Sequence, residues 1–182
     1  MKIVRLFNEV LENYQFKIAD PESAEKLTEF WKQSFEEAYH DIHSATDILA
    51  YSARNFTNEA ATRLLSDDNC TCTFAMKAGK VVGLSVIIKN DCPGRSHLAA
   101  SELKQLYLLS SEYGTGLGKA MMEDSIRKTR ESGSSHLWLC VSNLNFRAFR
   151  FYQKFGFTKI GNGPMLEVGL DRLLSSIMIR EV

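Results

Sequence analysis

Strands and helices that mix without regular alternation predict an α/β (α+β) fold. Three observations carry that expectation. Apolar residues alternate at period two in several short runs, with a dense strand-like group between residues 71 and 109. Helix-start chemistry stands before the runs of helical period. The order β-α-α-β-β-β-α-β-α-β-β departs from the alternation of a doubly wound nucleotide fold. Residues 1–182 contain no repeat, low-complexity tract or linker, so a single domain is expected.

The elements follow in order. Ile3, Phe7, Val10, Leu11 and Tyr14 recur at helical spacing and suggest a short extra helix over residues 2–12, within an N-terminal extension 1–13 whose alternative is a frayed end. Tyr14, Phe16 and Ile18 alternate as a first strand. Asp20-Pro21 joins a capping residue to a proline that needs no N–H, so a helix is expected over 21–39, with Leu27, Phe30, Trp31 and Phe35 on one face. Ser44-Ala45-Thr46-Asp47 resembles a capping box opening a second helix, and Thr57 caps a further turn through Leu65. Strands are expected over 71–77 and 80–89, joined at Ala78-Gly79, and over 101–109 after a loop holding Pro93 and Gly94. A helix over 116–130, a strand over 136–142 and a helix over 145–155 ending at Gly156 come next. Phe157–Ile160 and Ser175–Arg180 read as the last two strands.

Composition narrows the function. Lys plus Arg number 22 and Asp plus Glu number 22, so bulk charge gives no reason to expect a nucleic-acid or anionic-membrane partner. Hydrophobic residues make up 45% of the chain, which is ordinary globular composition. No apolar run reaches the length of a membrane span, and the first residues lack a secretory pattern. The expectation is a soluble, cytoplasmic protein. Cys70-Thr71-Cys72 lacks the two-residue gap of a zinc or redox motif, so no metal is expected and the four cysteines read as reduced thiols.

The segment Tyr113-Gly114-Thr115-Gly116-Leu117-Gly118 lies between an apolar strand and a helix. Glycines at every second position admit a close ligand, and a helix N-terminus adds unpaired N–H groups and a positive dipole end. Together they form an anion site. A dinucleotide fingerprint would need glycine where Lys119 stands. A Walker loop would need glycine at Tyr113 and Ser or Thr at Ala120.

The loop resembles the pyrophosphate loop of the GNAT acetyltransferase superfamily, Gln/Arg-x-x-Gly-x-Gly/Ala, with Tyr113 at the Gln/Arg position. Residues 136–157 are similar to that family's second motif, a strand followed by Asn-x-x-Ala-x-x-x-Tyr and Gly-Phe, matched by Asn145, Ala148, Tyr152, Gly156 and Phe157. The resemblance covers roughly residues 15–180. It implies a mostly antiparallel central sheet of about seven strands flanked by helices. It also implies acetyl-CoA as co-substrate and direct transfer to a primary amine. The stretches around Ile18–Ala24 and Ser34–Tyr39 are similar to the polyamine-acetylating branch. Glu36, Glu37, Asp41 and Asp47 can attract a polycation or simply form a solvated helix face.

Acetyl transfer to an alkyl amine of pKa ~10 needs a base, a polarised carbonyl and a leaving thiolate. By resemblance, backbone groups of Leu108 and Leu109 pair with the cofactor's amide chain. Gly114, Thr115, Gly116, Leu117, Gly118 and Lys119 hold the pyrophosphate, Lys119 being equally readable as a solvated lysine. Asn145 binds the pantetheine arm, and it also suits an N-cap. Tyr152 protonates the thiolate, its alternative being a core tyrosine among Phe149, Phe151 and Phe155. Glu102 is the general base, its alternative a solvent-facing strand carboxylate. His40, His43, His97 and His136 have no fixed spacing to either motif. A protein or peptide acceptor, a non-catalytic acyl-CoA-binding module and a homodimeric assembly stay open.

Overall fold

The computed structural model describes residues 13–41, 43–168 and 171–182. The helix expected over residues 2–12 lies outside the described residues. β1 (Gln15–Ile18) leads through a 3-10 turn at Pro21–Ser23 into α1 (Ala24–Tyr39). Asp20 does not cap the helix amides as expected; its carboxylate accepts from Ser23 Oγ at 2.8 Å, and the proline starts the tighter turn first. Leu27, Phe30, Trp31 and Phe35 form the buried stripe of α1.

α2 (Ala45–Asn55) opens as its capping box requires. Ser44 Oγ accepts the Asp47 amide at 3.1 Å. The turn after Thr57 extends to a full helix, α3 (Asn58–Leu65), so three helices rather than two separate the first strands. Thr57 Oγ1 accepts the Ala60 amide at 3.2 Å, and the fully buried Ala61 fastens the helix to the core.

β2 (Cys70–Lys77), β3 (Lys80–Lys89) and β4 (Ala100–Leu108) form an antiparallel meander. Ala78 and Gly79 both have positive φ, 48° and 80°, as a two-residue hairpin turn matched to strand twist requires. α4 (Leu117–Glu131), β5 (His136–Ser142), α5 (Phe146–Lys154) and β6 (Thr158–Asn162) follow. A short hairpin, β7 (Leu166–Val168) with β8 (Asp171–Leu173), precedes the last strand, β9 (Ser175–Glu181). The expected strand list does not include that hairpin, because three-residue strands leave too little alternation to detect.

The main sheet has seven strands in the order β1-β2-β3-β4-β5-β9-β6. Every neighbouring pair is antiparallel except β4 with β5. α1 and α3 pack on one face, over Cys72, Phe74, Leu84 and Val86. α4 and α5 cover the other, with Met122, Ile126, Phe149 and Phe151 against Leu137, Leu139 and Met178. A Cβ on Gly83 would meet Met121 Sδ at 2.6 Å, so the missing side chain lets α4 lie close on β3.

Candidate active site

β4 and β5 pair over only three positions, Ala100↔His136, Ser101↔Leu137 and Glu102↔Trp138. Beyond them β4 continues with β3 as far as Leu108, while β5 continues with β9 to Ser142. The two strands therefore part. A bulge adds to this, since Val86 faces Gln105 while Ile87 faces Leu103, leaving Lys104 as the extra residue. Bulges bend a strand and increase its twist.

Backbone direction along β4 follows from one bond. The Leu109 amide donates to Val82 O at 3.0 Å, across towards β3. Peptide groups alternate along an antiparallel strand, so Tyr107 also bonds towards β3, and Leu106 and Leu108 turn their N–H and C=O into the gap. Leu109 differs from Leu108: its carbonyl accepts the Glu112 amide at 3.0 Å, so both of its backbone groups are engaged inside the protein.

At the mouth of the gap stands the glycine loop. A 3-10 turn at Ser110–Glu112 leads into Gly114 and Gly116, with φ of 80° and 92°. Thr115 Oγ1 donates to Glu112 O at 2.9 Å and accepts the Leu117 amide at 3.3 Å, which fixes the turn. Among the described residues the amides of Gly114, Gly116 and Gly118 have no acceptor. They lie at the positive end of the fifteen-residue α4. Lys119 Nζ lies 3.7 Å from Glu123 at this end of the helix.

Two carboxylates hold the loop from beneath. Glu112 is buried, accepting Tyr14 Oη at 2.5 Å and Lys77 Nζ at 2.9 Å. Burial pushes its carboxyl upward, but the Tyr14 hydroxyl and the Lys77 ammonium outweigh that and hold it below its ordinary value. Glu37, on α1, accepts the Ser110 amide at 2.6 Å. A carboxylate between a strand end and a glycine turn is the sequence signal for Glu112, though its partners are 35 and 98 residues away.

α5 lines the other side of the gap. Asn145 Oδ1 accepts the Ala148 amide at 3.0 Å, so the N-cap reading holds and leaves the Nδ2 group for other contacts. Arg147, two residues on, stacks its guanidinium 3.4 Å from the Tyr113 ring centroid, linking α5 to the loop. Tyr152 packs edge-on to Phe151 and Phe157, at 5.6 and 5.7 Å. Burial, and then the proximity of Tyr39, push its phenol pKa upward, so the hydroxyl stays protonated.

Glu102 is the last paired residue before the strands part, and it is buried rather than solvent-facing. Its carboxylate accepts Asn90 Nδ2 at 3.2 Å and Lys104 Nζ at 3.3 Å. The histidines offer less: His40 and His97 are exposed, and His136 bonds to Ser135 Oγ at 2.8 Å. All four cysteines are free thiols, and burial raises the pKa of each, Cys72 to about 12. Cys140 is thus a poor nucleophile. Among the described residues no group of His, Cys, Asp and Glu has metal-site geometry, and no helix is long and apolar enough to cross a membrane.

A sheet that opens beside a glycine loop at a helix N-terminus offers an anion site next to unpaired strand edges. The chain belongs to the acetyltransferase (GNAT) family, whose model matches residues 24–157. An uncharacterised N-acetyltransferase of Mycobacterium tuberculosis is 30% identical over 135 residues, covering 74% of this chain and 82% of that one. The streptothricin acetyltransferase of Streptomyces lavendulae is 40% identical over 56 residues, 31% of this chain and 30% of its own. The fold matches the PaiA N-acetyltransferase of Thermoplasma acidophilum, solved with coenzyme A, with a TM-score of 0.74 at 19% identity, over 93% of this chain and 99% of that one. The family assignment makes this protein an acetyl-CoA-dependent N-acetyltransferase.

Proposed function

We propose that the chain transfers the acetyl group of acetyl-CoA to the primary amine of a small molecule, by direct attack in a ternary complex. The observation that carries this reading is the gap between β4 and β5. It has free peptide groups along one wall and loop amides at its mouth, and the helix that carries Tyr152 packs beside it, Phe151 and Leu108 both lying against Gly118. The coenzyme A bound to the Thermoplasma acidophilum neighbour supports it.

Each role follows from what a residue has left to give. The peptide groups of Leu106 and Leu108 pair with the amides of the pantetheine arm, as an added strand would. Leu109, already bonded to Val82 and Glu112, holds the turn instead. The amides of Gly114, Gly116 and Gly118 donate to the pyrophosphate, Thr115 and Leu117 keep the loop in shape, and Lys119 adds positive charge. Asn145 Nδ2 reaches the arm while Oδ1 caps α5.

Glu102 takes a proton from the acceptor through water, at the closed end of the gap. The amine nitrogen then attacks the thioester carbon, a C–N bond forms and the C–S bond breaks. Of the two protons the ammonium gives up, one ends on the sulfur and one in solvent. Tyr152, kept neutral by its surroundings, donates a hydrogen bond to the developing thiolate and conducts its proton.

The test is a panel of amines with acetyl-CoA, followed by release of free thiol. Turnover is expected, with Tyr152→Phe lowering kcat on the order of 10²-fold and leaving the acetyl-CoA KM nearly unchanged. Tight acetyl-CoA binding without turnover of any amine would instead make the chain a non-catalytic acyl-CoA-binding module.

A further inference from the structure

Asn90 follows the last residue of β3 and binds both members of the final β4–β5 pair, Glu102 and Trp138. Beyond that pair the two strands part. Asn90 Nδ2 donates to Glu102 Oε2 at 3.2 Å, and the Asn90 carbonyl accepts the Trp138 indole N–H at 3.1 Å. One residue thus spans the fork, with its side chain on one strand and its backbone on the other. The orientation of the amide follows from chemistry, because an ionised carboxylate only accepts and the NH2 end must face it.

The backbone half of this clasp is firm. Trp138 is buried, and Cys92, two residues past Asn90, is buried in the same apolar cluster with Ala100 and Ile177. The indole bond and this packing fix the chain at residue 90, and so fix the point from which its short side chain starts.

Glu102 is 6% exposed, and a carboxylate so deeply buried needs partners. Its other oxygen, Oε1, accepts Lys104 Nζ at 3.3 Å. The two bonds differ in stiffness. Lys104 is the extra residue of the β4 bulge, and its side chain is 54% exposed on a flexible four-carbon stem. It supplies charge without fixing a direction, whereas Asn90 fixes a direction without adding charge. Each carboxylate oxygen has about two acceptor sites, so each keeps one for water.

We infer that Asn90 is a positioning residue for proton removal, setting the direction in which Glu102 presents its remaining lone pairs to the gap. The inference rests on the reading of Glu102 as the general base. A base acts only within hydrogen-bond reach of the proton, directly or through one water. Holding Oε2 removes the carboxylate orientations that would break that path. The bond involves no atom of either substrate, so its loss lowers turnover and leaves binding alone.

The test is a double-mutant cycle between Asn90 and Glu102 in steady-state kinetics. The acceptor is whichever of 2-phenylethylamine, spermidine, glycinamide and L-lysine gives the highest kcat/KM. Glu102→Gln is expected to lower kcat about 10²-fold. Asn90→Ala keeps the carbonyl bonded to Trp138 and removes only the side-chain bond. It is expected to lower kcat about 10-fold with both KM values within about 2-fold. In the Glu102→Gln background the same substitution should change kcat by less than about 2-fold, because nothing is left to position. Asn90→Asp keeps the shape and removes the donor, so it should lose at least as much as Asn90→Ala and carries the test if that variant fails to fold. An unchanged kcat in Asn90→Ala or Asn90→Asp overturns the inference and leaves Glu102 as the base. So does an equal loss in both backgrounds, which marks a merely structural role. Parent-like turnover by Glu102→Gln overturns the base and the inference together, as does turnover of no amine by the parent.

Discussion

Glu112 is a carboxylate set inside a glycine loop, and its value to the site is mechanical. Tyr14 on the edge of β1 and Lys77 on β2 grip it from below, so the loop is tied to the far strands of the sheet. Glu112→Gln keeps the shape but weakens both bonds, since a charge-assisted hydrogen bond is roughly twice as strong as a neutral one. The expected result is an acetyl-CoA KM raised about 3- to 10-fold with kcat little changed. A pH series gives a second readout. The folded-state pKa of Glu112 lies below its ordinary value, so its contribution to stability is present above the unfolded pKa and lost as pH falls through the folded one. The melting temperature of the parent should therefore fall more steeply than that of Glu112→Gln as pH drops below about 4.5. Parallel curves for the two proteins would remove Glu112 from this role.

At the scale of elements, the glycines of the loop separate into two kinds. Gly116 has φ of 92°, and a branched side chain there is strained by about 1–2 kcal/mol while crowding the amides meant for phosphate. Gly118 sits in the first turn of α4, where a Cβ would meet Leu108 and Phe151 at 3.6 and 3.7 Å, ordinary contact distances. Gly118→Ala is expected to raise the melting temperature by ~1–4 °C, through helix propensity, without altering the acetyl-CoA KM. Gly116→Val should raise that KM sharply, and equal effects of the two substitutions on KM would contradict the division. Most elements were legible from the sequence because their causes are local. Ser44 and Thr57 cap where their spacing says, and β5 runs over the expected residues 136–142. The bulge at Lys104, the brevity of the β4–β5 pairing and the partners of Glu112 were not. Each depends on residues brought together from distant parts of the chain.

At the scale of the whole molecule, the sheet is two arms joined by a short seam. β1 to β4 form one arm and β5, β9 and β6 the other. Three paired positions, the Ser101–Ser134 hydroxyl contact at 2.9 Å and the Ser135 amide on Ala99 O at 2.8 Å hold them at the base. Towards the mouth, the stack of Arg147 on Tyr113 joins α5 to the loop again. A substrate that pairs with β4 and touches α5 links both arms, so binding should stabilise the folded state by about 2.7 kcal/mol at a hundred times Kd. The site of that stabilisation is specific. Leu106 and Leu108 point their amides into the gap, whereas Tyr107 and Leu109 bond towards β3. Hydrogen exchange resolved to single amides should therefore show coenzyme A slowing Leu106 and Leu108 by ~10-fold or more, with Tyr107 and Leu109 changing much less. Uniform slowing along β4 would indicate only global stabilisation. Slowing confined to the Gly114–Gly118 loop would mean that the arm of the substrate leaves β4 unpaired, and that the parted strands serve some other purpose.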